Sequence, residues 1–544
     1  MRTSHRFGQC ALVSGSMLAR SAVVISLIAL LALNDWVSAG GVAVAGTLTV
    51  NSSFAGPYDT NFGFVPGPGF EPVCAPYAAP EVAEGPLLIW PNPNPGGILH
   101  MAANWNVGEF YTSGQYKFQE PLASLVQGVL PGNNWYVRDP QLLYDSASGD
   151  PSGYGRFINV AAASDPVAQH AWITVAATYI PEGYAANNNI DDCVYLIDAN
   201  VQADGSSTQF WATEPRAAVS ANALVVTANM RAFADSSYQY TKLWVIPKQN
   251  IYNIPKQFCP LGPLIPSLVT SGLQNADGSL AANVRSAKSY AVGSSTTYLL
   301  SAPGGNALTL WALDTQQLTL SPGLTGRSVP VSPYTGVASV QQEGTNTQIS
   351  TGGYPLANVI YQPTSGLWTV HTTACPWNTA QSCMKWYQID PVAGAALQDR
   401  QYGYSDASVY APAVAVNRAG NAVFVFNYSG PNYYPSIGYA GRFAADPTNS
   451  LPYYGTLKAG VGIYDRGAPA FYSSADVDPI NDNRFFIISA YASGQNGLCP
   501  AGSVKPNQPN YDWTTWVGNL SFTATPAPPP PPPPPQGRKA PSLR

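Results

Sequence analysis

Two groups of residues in this chain have types and spacings that suit chemistry: clustered carboxylates, and tyrosines crowded beside Gly and Pro. Asp139, Asp145, Asp165, Asp191 and Asp192 fall in one stretch, and Asp476, Asp478 and Asp482 in another. Cleaving a glycosidic bond takes two carboxyl groups across a cleft, one donating a proton and one attacking or activating water. Asp139 follows a guanidinium in Arg138-Asp139-Pro140, and Asp476 heads the second cluster, so Arg138, Asp139 and Asp476 are the catalytic candidates. These aspartates also have a plainer use, because Asp before Pro or at a strand end accepts backbone hydrogen bonds in turns. Tyr428, Tyr433, Tyr434 and Tyr439, in and around YSGPNYYPSIGY, are the binding candidates. Exposed rings stack on sugar faces or anchor a protein partner; buried ones would only fill gaps between sheets.

Other chemistries find no support. There is no serine-hydrolase elbow on a strand-to-helix turn, no P-loop and no dinucleotide fingerprint. His5, His100, His170 and His371 are isolated, without metal spacing. No cofactor is required. Calcium is the ion that the oxygen-rich Asp191-Asp192 and Asp198…Asp204-Gly205 would suit, although neither has EF-hand spacing.

The elements that must position these residues are strands. Only 10% of the 544 residues are Asp, Glu, Lys or Arg, whereas 49 Gly, 50 Pro and 12% aromatics describe sheets joined by tight turns. Short apolar strands recur in units of three or four: DPQLLYD to CVYLIDAN (139–200), EPRAAVS to KLWVIPK (214–248), SYAVG to LTLWALD (289–314), YPLANVIYQ to MKWYQID (354–390), YAPAVAVN to SIGYAGR (410–442) and GAPAFYSSADVDP to WTTWVGNLSF (467–522). A less complete unit, PLLIW to EFYTSG (86–114), precedes them. Unit starts about 55–75 residues apart have the size of propeller blades. ALVVT and RFFII are apolar on both faces, as blades packed face to face require. A two-sheet sandwich would not need recurring units. The expectation is an all-β fold, a six- or seven-bladed β-propeller over 96–523, with an extended Gly/Pro-rich leader over 40–95 and a proline-rich disordered tail over 524–544.

The ends speak to location. Arg2, Arg6 and Arg20 precede and flank the 13-residue apolar stretch Ser21–Leu33, and Val37-Ser38-Ala39 offers small residues for cleavage. This is a signal-peptide layout for 1–39, with cleavage as late as 45 at Ala43-Val44-Ala45, and the stretch is short for a bilayer span. No later segment is long and apolar enough to serve as a transmembrane anchor after cleavage. The reading is therefore a secreted or cell-surface protein. Of seven cysteines, Cys10 lies in the signal, leaving six that suit disulfides outside the cytoplasm. Cys375 and Cys383 enclose a short loop suited to a bridge. Among three possible pairings of the rest, Cys193–Cys259 and Cys74–Cys499 are preferred because a closed propeller brings its chain ends together. Setting aside Asp35 and three basic residues at each end, 19 basic face 29 acidic residues, so the body carries about −10 and repels nucleic acid.

Several blocks resemble bacterial exported β-propeller proteins of unknown activity, related in fold to the sialidase and BNR-repeat superfamily. They are RDPQLLYD (138–145) with GRF (155–157), ANALVVTANM (221–230) with LWVIPK (243–248), PAVAVNRAGNAVFVFNYSG (412–430) with YPSIGYAGR (434–442), and FYSSADVDP (471–479) with Trp513 and Trp516. The resemblance covers roughly 98–523 and implies a propeller exported from a bacterial cell. The Asp-box of true sialidases is absent, and their arginine triad, tyrosine and aspartate match no residues one by one. The functional expectation is a monomeric, non-enzymatic propeller that binds an extracellular glycan or cell-surface protein. The alternative is an extracellular glycoside hydrolase or polysaccharide lyase with carboxylates at the propeller centre.

Overall fold

A computed structural model describes residues 46–55, 80–85, 98–103, 106–113, 116–126, 128–132, 134–146, 155–179, 191–252, 262–291, 293–316, 324–353, 355–464, 472–498 and 509–524. Within them the protein is all-β, broken only by the short helical turns Leu122–Leu125 and Gln249–Tyr252. No helix among these residues is long and apolar enough to cross a membrane. Residues 1–39, expected above to be a signal peptide, and the proline-rich residues beyond Ala524 lie outside the described residues.

Seven sheets of three to five strands follow one another in chain order, and a two-stranded hairpin, Ser339–Gln342 with Thr345–Ser350, is inserted after the fourth. The first sheet begins with Pro80–Gly85, the second with Tyr136–Asp145, the third with Phe210–Val219 and the fourth with Arg285–Ser286. The fifth holds Leu356–Gln362 through Ala395–Tyr402, the sixth Ser408–Val416 through Tyr453–Lys458, and the seventh Ser473–Val477 through Pro509–Ala524. Each sheet packs against the next, and the seventh packs back on the first. The contacts form a cycle, which is a propeller-like arrangement.

The two-sided apolar strands explain the packing. Side chains alternate across a strand, so one strand serves two cores. Leu224, Val226, Ala228 and Met230 join the core shared with the second sheet, whereas Ala223 and Val225 face the fourth. Phe424 and Phe426 likewise face the fifth sheet while Val423 and Val425 face the seventh. A sandwich strand would keep one face wet; these keep none.

Residues 46–55 and 80–85, assigned above to the leader, are strands. Gly46–Ala55 is the outer strand of the seventh sheet, paired antiparallel with Pro509–Ala524 from Gly46↔Ala524 to Ala55↔Trp516. Its Thr, Val and Phe residues alternate between half-buried and exposed, the pattern of an edge strand. Pro80–Gly85 opens the first sheet. GTLTV (46–50) carries strand alternation in the sequence, but the Gly and Pro around it led both segments to be read as leader.

Cys375 and Cys383 form a disulfide with a Cα–Cα distance of 5.0 Å. Cys193 is also disulfide-bonded. Cys74, Cys259 and Cys499 lie outside the described residues.

Candidate functional site

Residues of the opening strands of the second to seventh sheets line two cavities. The larger, about 310 Å³, is bounded by Asp139, Glu214, Arg216, Arg231, Arg285 and Tyr472, among others. The smaller, about 120 Å³, takes Asp145, Tyr290, Asp476 and Asp478. Lys288 lines both, and its ammonium lies 2.6 Å from Asp476 Oδ1.

A shared backbone device aims residues into the larger cavity. Three opening strands carry a residue of positive φ just before a proline: Asp139 (54°), Glu214 (47°) and Ala411 (49°). In each, the pairing register slips, between Arg138 and Gln141, Thr213 and Arg216, and Tyr410 and Ala413. Proline has no N–H for the ladder and is tolerated at a bulge, and a bulge re-aims the side chain beside it. A non-glycine residue held there costs about 1–3 kcal/mol, and such strain clusters at functional sites. Ala411, with only a methyl to present, is expected to report that cost. Ala411→Gly should raise stability by about 1 kcal/mol in chemical denaturation, and a loss instead would show that the left-handed backbone there is not under strain.

The carboxyl groups from two of these bulges are coupled. The Glu214 backbone N–H donates to Asp139 Oδ2 at 3.0 Å, tying the third sheet to the second. The Glu214 carboxylate sits 3.0 Å from the Arg285 guanidinium, which is buried and also donates through Nε to the Leu356 carbonyl at 2.8 Å. The surroundings push the two acids in opposite directions. Burial raises the Asp139 carboxyl above the ordinary value, and Arg138, the Glu214 N–H and Arg216 only partly offset it. Burial acts on Glu214 too, but Arg285, Arg216 and Arg231 together hold it below its usual range. Burial raises the Tyr472 hydroxyl, and the charges of Glu214 and Asp139 raise it further. The two acids are thus shifted apart, Asp139 upward and Glu214 downward, the kind of separation that general acid–base pairs use.

The three catalytic candidates from the sequence are not brought together. Asp139 lines the larger cavity. The Arg138 guanidinium lies over the Trp211 ring, 4.1 Å from its centroid, and donates to Ser164 Oγ at 3.4 Å; it is not among the lining residues. Asp476 lines the smaller cavity, held by Lys288 and by the Tyr290 hydroxyl, which donates at 2.9 Å. It directly follows Ala475, which lines the larger cavity with Ser473 and Ser474, but does not itself line that cavity. Asp145 is engaged by Lys248 at 2.7 Å and the Tyr252 hydroxyl at 2.9 Å, and Asp478 by Arg484. Glu214 was missed. Its signal was Glu-Pro at the opening of one unit, where the preceding unit has Asp-Pro.

The tyrosines are dispersed over the sixth sheet. Tyr428 is buried with its hydroxyl 2.9 Å from Thr456 Oγ1, and Tyr439 packs over Gly455. Tyr434 rests against the inserted hairpin at Gly344. Tyr433 is exposed, its hydroxyl donating to Asp406 at 2.8 Å. Among the described residues no group of three or more His, Cys, Asp and Glu side chains is placed to hold a metal ion. Asp204 instead accepts the Ser206 N–H at 2.9 Å within its own turn.

No protein-family model matches the chain, and no curated protein matches it. Solved structures with similar folds include a protein of unknown function from Dyadobacter fermentans, with 11% identity over 73% of this chain and 97% of that one, TM-score 0.38. The phage phi92 endosialidase has 9% identity over 68% of this chain and 66% of its own, TM-score 0.39. The GH93 α-L-arabinofuranosidase of Fusarium graminearum has 10% identity over 86% and 97%, TM-score 0.34. At such distances the likeness assigns no role to any residue here.

Proposed function

We propose that this chain is an exported, seven-bladed propeller that hydrolyses glycosidic bonds in a glycan bearing anionic groups, each sheet serving as one blade. The observation that carries this reading is the pair Asp139 and Glu214, which line one cavity and whose carboxyls are shifted in opposite directions, up and down, by their surroundings. Asp139 holds its proton for the leaving oxygen; Glu214 stays ionised to attack or to activate water. Arg216 and Arg231 accompany Arg285 around the same cavity, so its field is positive although the chain as a whole is at −5. That contrast favours a carboxylate- or sulfate-bearing sugar over a neutral one, since guanidinium groups recognise such anions through paired hydrogen bonds. This is the alternative reading of the sequence; a binding-only propeller has no need to separate two acids. Export is supported by the signal layout and by the bonded cysteines.

The test is release of reducing ends by the purified mature chain from alginate, polygalacturonate and polysialic acid, beside neutral xylan. Turnover of at least one acidic polymer, with xylan at least tenfold slower, is expected. Binding of a polymer without any turnover would return the chain to the non-enzymatic class.

A further inference from the structure

A second feature, remote from the cavity lining, stands at the edge of the fifth and sixth sheets. Trp377, inside the Cys375–Cys383 loop, is 53% exposed. Its indole lies against the backbone of Gly403, where a Cβ would come within 3.4 Å of Trp377 Cζ2 and 2.5 Å of Cys383 Sγ. The disulfide and the missing side chain together fix the ring in place. On either side of Gly403, Tyr402 and Tyr404 belong to a continuous line of rings, Tyr454–Tyr402–Tyr404–Tyr428–Tyr433, with centroid spacings of 6.2, 5.8, 5.5 and 5.9 Å. Tyr454 and Tyr433 end that line at 63% and 36% exposure. Its rim is polar: Asp406 is exposed and accepts from Tyr433.

The patch shares an end of the molecule with the larger cavity. His371 pairs with Leu356, a cavity residue, and the strand runs on from there to Cys375. Ser408–Val416 starts from the same end, with Ala411 in the larger cavity and Val416 in the smaller.

We propose that Trp377, with Tyr433 and Tyr454 at the exposed ends of the tyrosine line that backs them, forms a second carbohydrate-binding surface, which holds a polysaccharide strand beside the cavity that cuts it. A pyranose has an apolar C–H face and a hydroxyl edge, matching rigid rings with a carboxylate at their border. The inference rests on the glycan reading of the cavity. A protein partner would instead need a buried patch of about 800 Å² per side, far more than one indole and two ring edges present.

The experiment is affinity electrophoresis of the full chain carrying Glu214→Gln, to prevent cutting, in gels containing alginate, polygalacturonate, polysialic acid or xylan. Trp377→Ala is expected to weaken retardation by a bound polymer roughly tenfold, with Trp377→Phe restoring most of it. In the otherwise unaltered chain, Trp377→Ala should leave kcat/KM on short oligosaccharides unchanged, which also shows that it folds. Equal retardation of Trp377→Ala and its parent, or no retardation of the parent by any of the four, would overturn the proposal. Retardation lost on Trp377→Ala in a chain that cuts nothing would uphold this surface and sink only the hydrolase.

Discussion

Turnover by the Glu214→Gln chain is expected to fall by about 10³-fold or more, while its affinity for uncut polymer holds or tightens. The amide keeps the size of the side chain but loses the charge needed to attack or to activate water, an effect of the order of 10²–10⁴ for a single acid–base group and more for a nucleophile. It also removes the counter-charge from Arg285, Arg216 and Arg231, the three cations that depress the Glu214 carboxyl. With that negative charge gone, an anionic sugar meets a more positive cavity. The split between kcat and binding is the diagnostic, because a merely misfolded site would lose both. Some stability goes as well: Arg285 is buried and would exchange an ion pair for a neutral hydrogen bond, at about 1–3 kcal/mol. Kinetics measured well below the melting transition separate the two losses. Turnover surviving within tenfold of the parent would remove Glu214 from the mechanism.

Asp139→Asn should lower turnover by about 10²–10⁴ and make the chain more stable at neutral pH. The sign follows from the direction of its shift. The unfolded chain releases this proton near the ordinary carboxyl value, whereas the folded chain holds it to higher pH because the group is buried. Between those two values the folded state binds more protons, so stability falls as pH rises, and above both the loss is complete. Asparagine never ionises, tolerates positive φ well, and still accepts the Glu214 N–H. A gain of about 1 kcal/mol near pH 7 is expected, vanishing below the ordinary carboxyl value. Activity should show the matching pattern. In the parent, kcat/KM rises as pH passes the depressed Glu214 value and falls as it passes the raised Asp139 value; residual activity of Asp139→Asn should lack that alkaline fall. Equal melting temperatures for parent and variant at both pH values would show that Asp139 is not kept protonated by the fold.

The sheets were legible because each strand writes its packing into the alternation of its residues. ALVV (223–226) and AVFVF (422–426) show apolar side chains at every position, and only a strand between two neighbours has use for that. The Gly46–Ala55 strand was harder: its partner lies at the far end of the chain, and no local pattern shows a pairing across that distance. At the site, Asp139 was visible as Asp-Pro beside Arg138. Glu214 sat in a unit read only for its strands, because repetition drew attention to what the units share and not to the one position where a bulge turns a side chain inward. Asp476 was misplaced by the opposite error. It is close to the site in unit order, but position along a strand decides which cavity a residue lines, and clusters in sequence carry no such coordinate. Among the tyrosines, density beside Gly and Pro did not separate the exposed ring of Tyr433 from Tyr428, which is buried in the sixth sheet.

The pairing of Gly46–Ala55 with Pro509–Ala524 has a consequence for how the protein is made. Asn51 donates to Asn519 across 468 residues of chain, so the earliest strand has no partner until the last has been synthesised. At about 5–20 residues per second that wait is roughly half a minute or longer. Throughout it the outer edge of the seventh sheet has no partner from the earlier part of the chain, and that sheet is completed only when strands 468 residues apart have both been made.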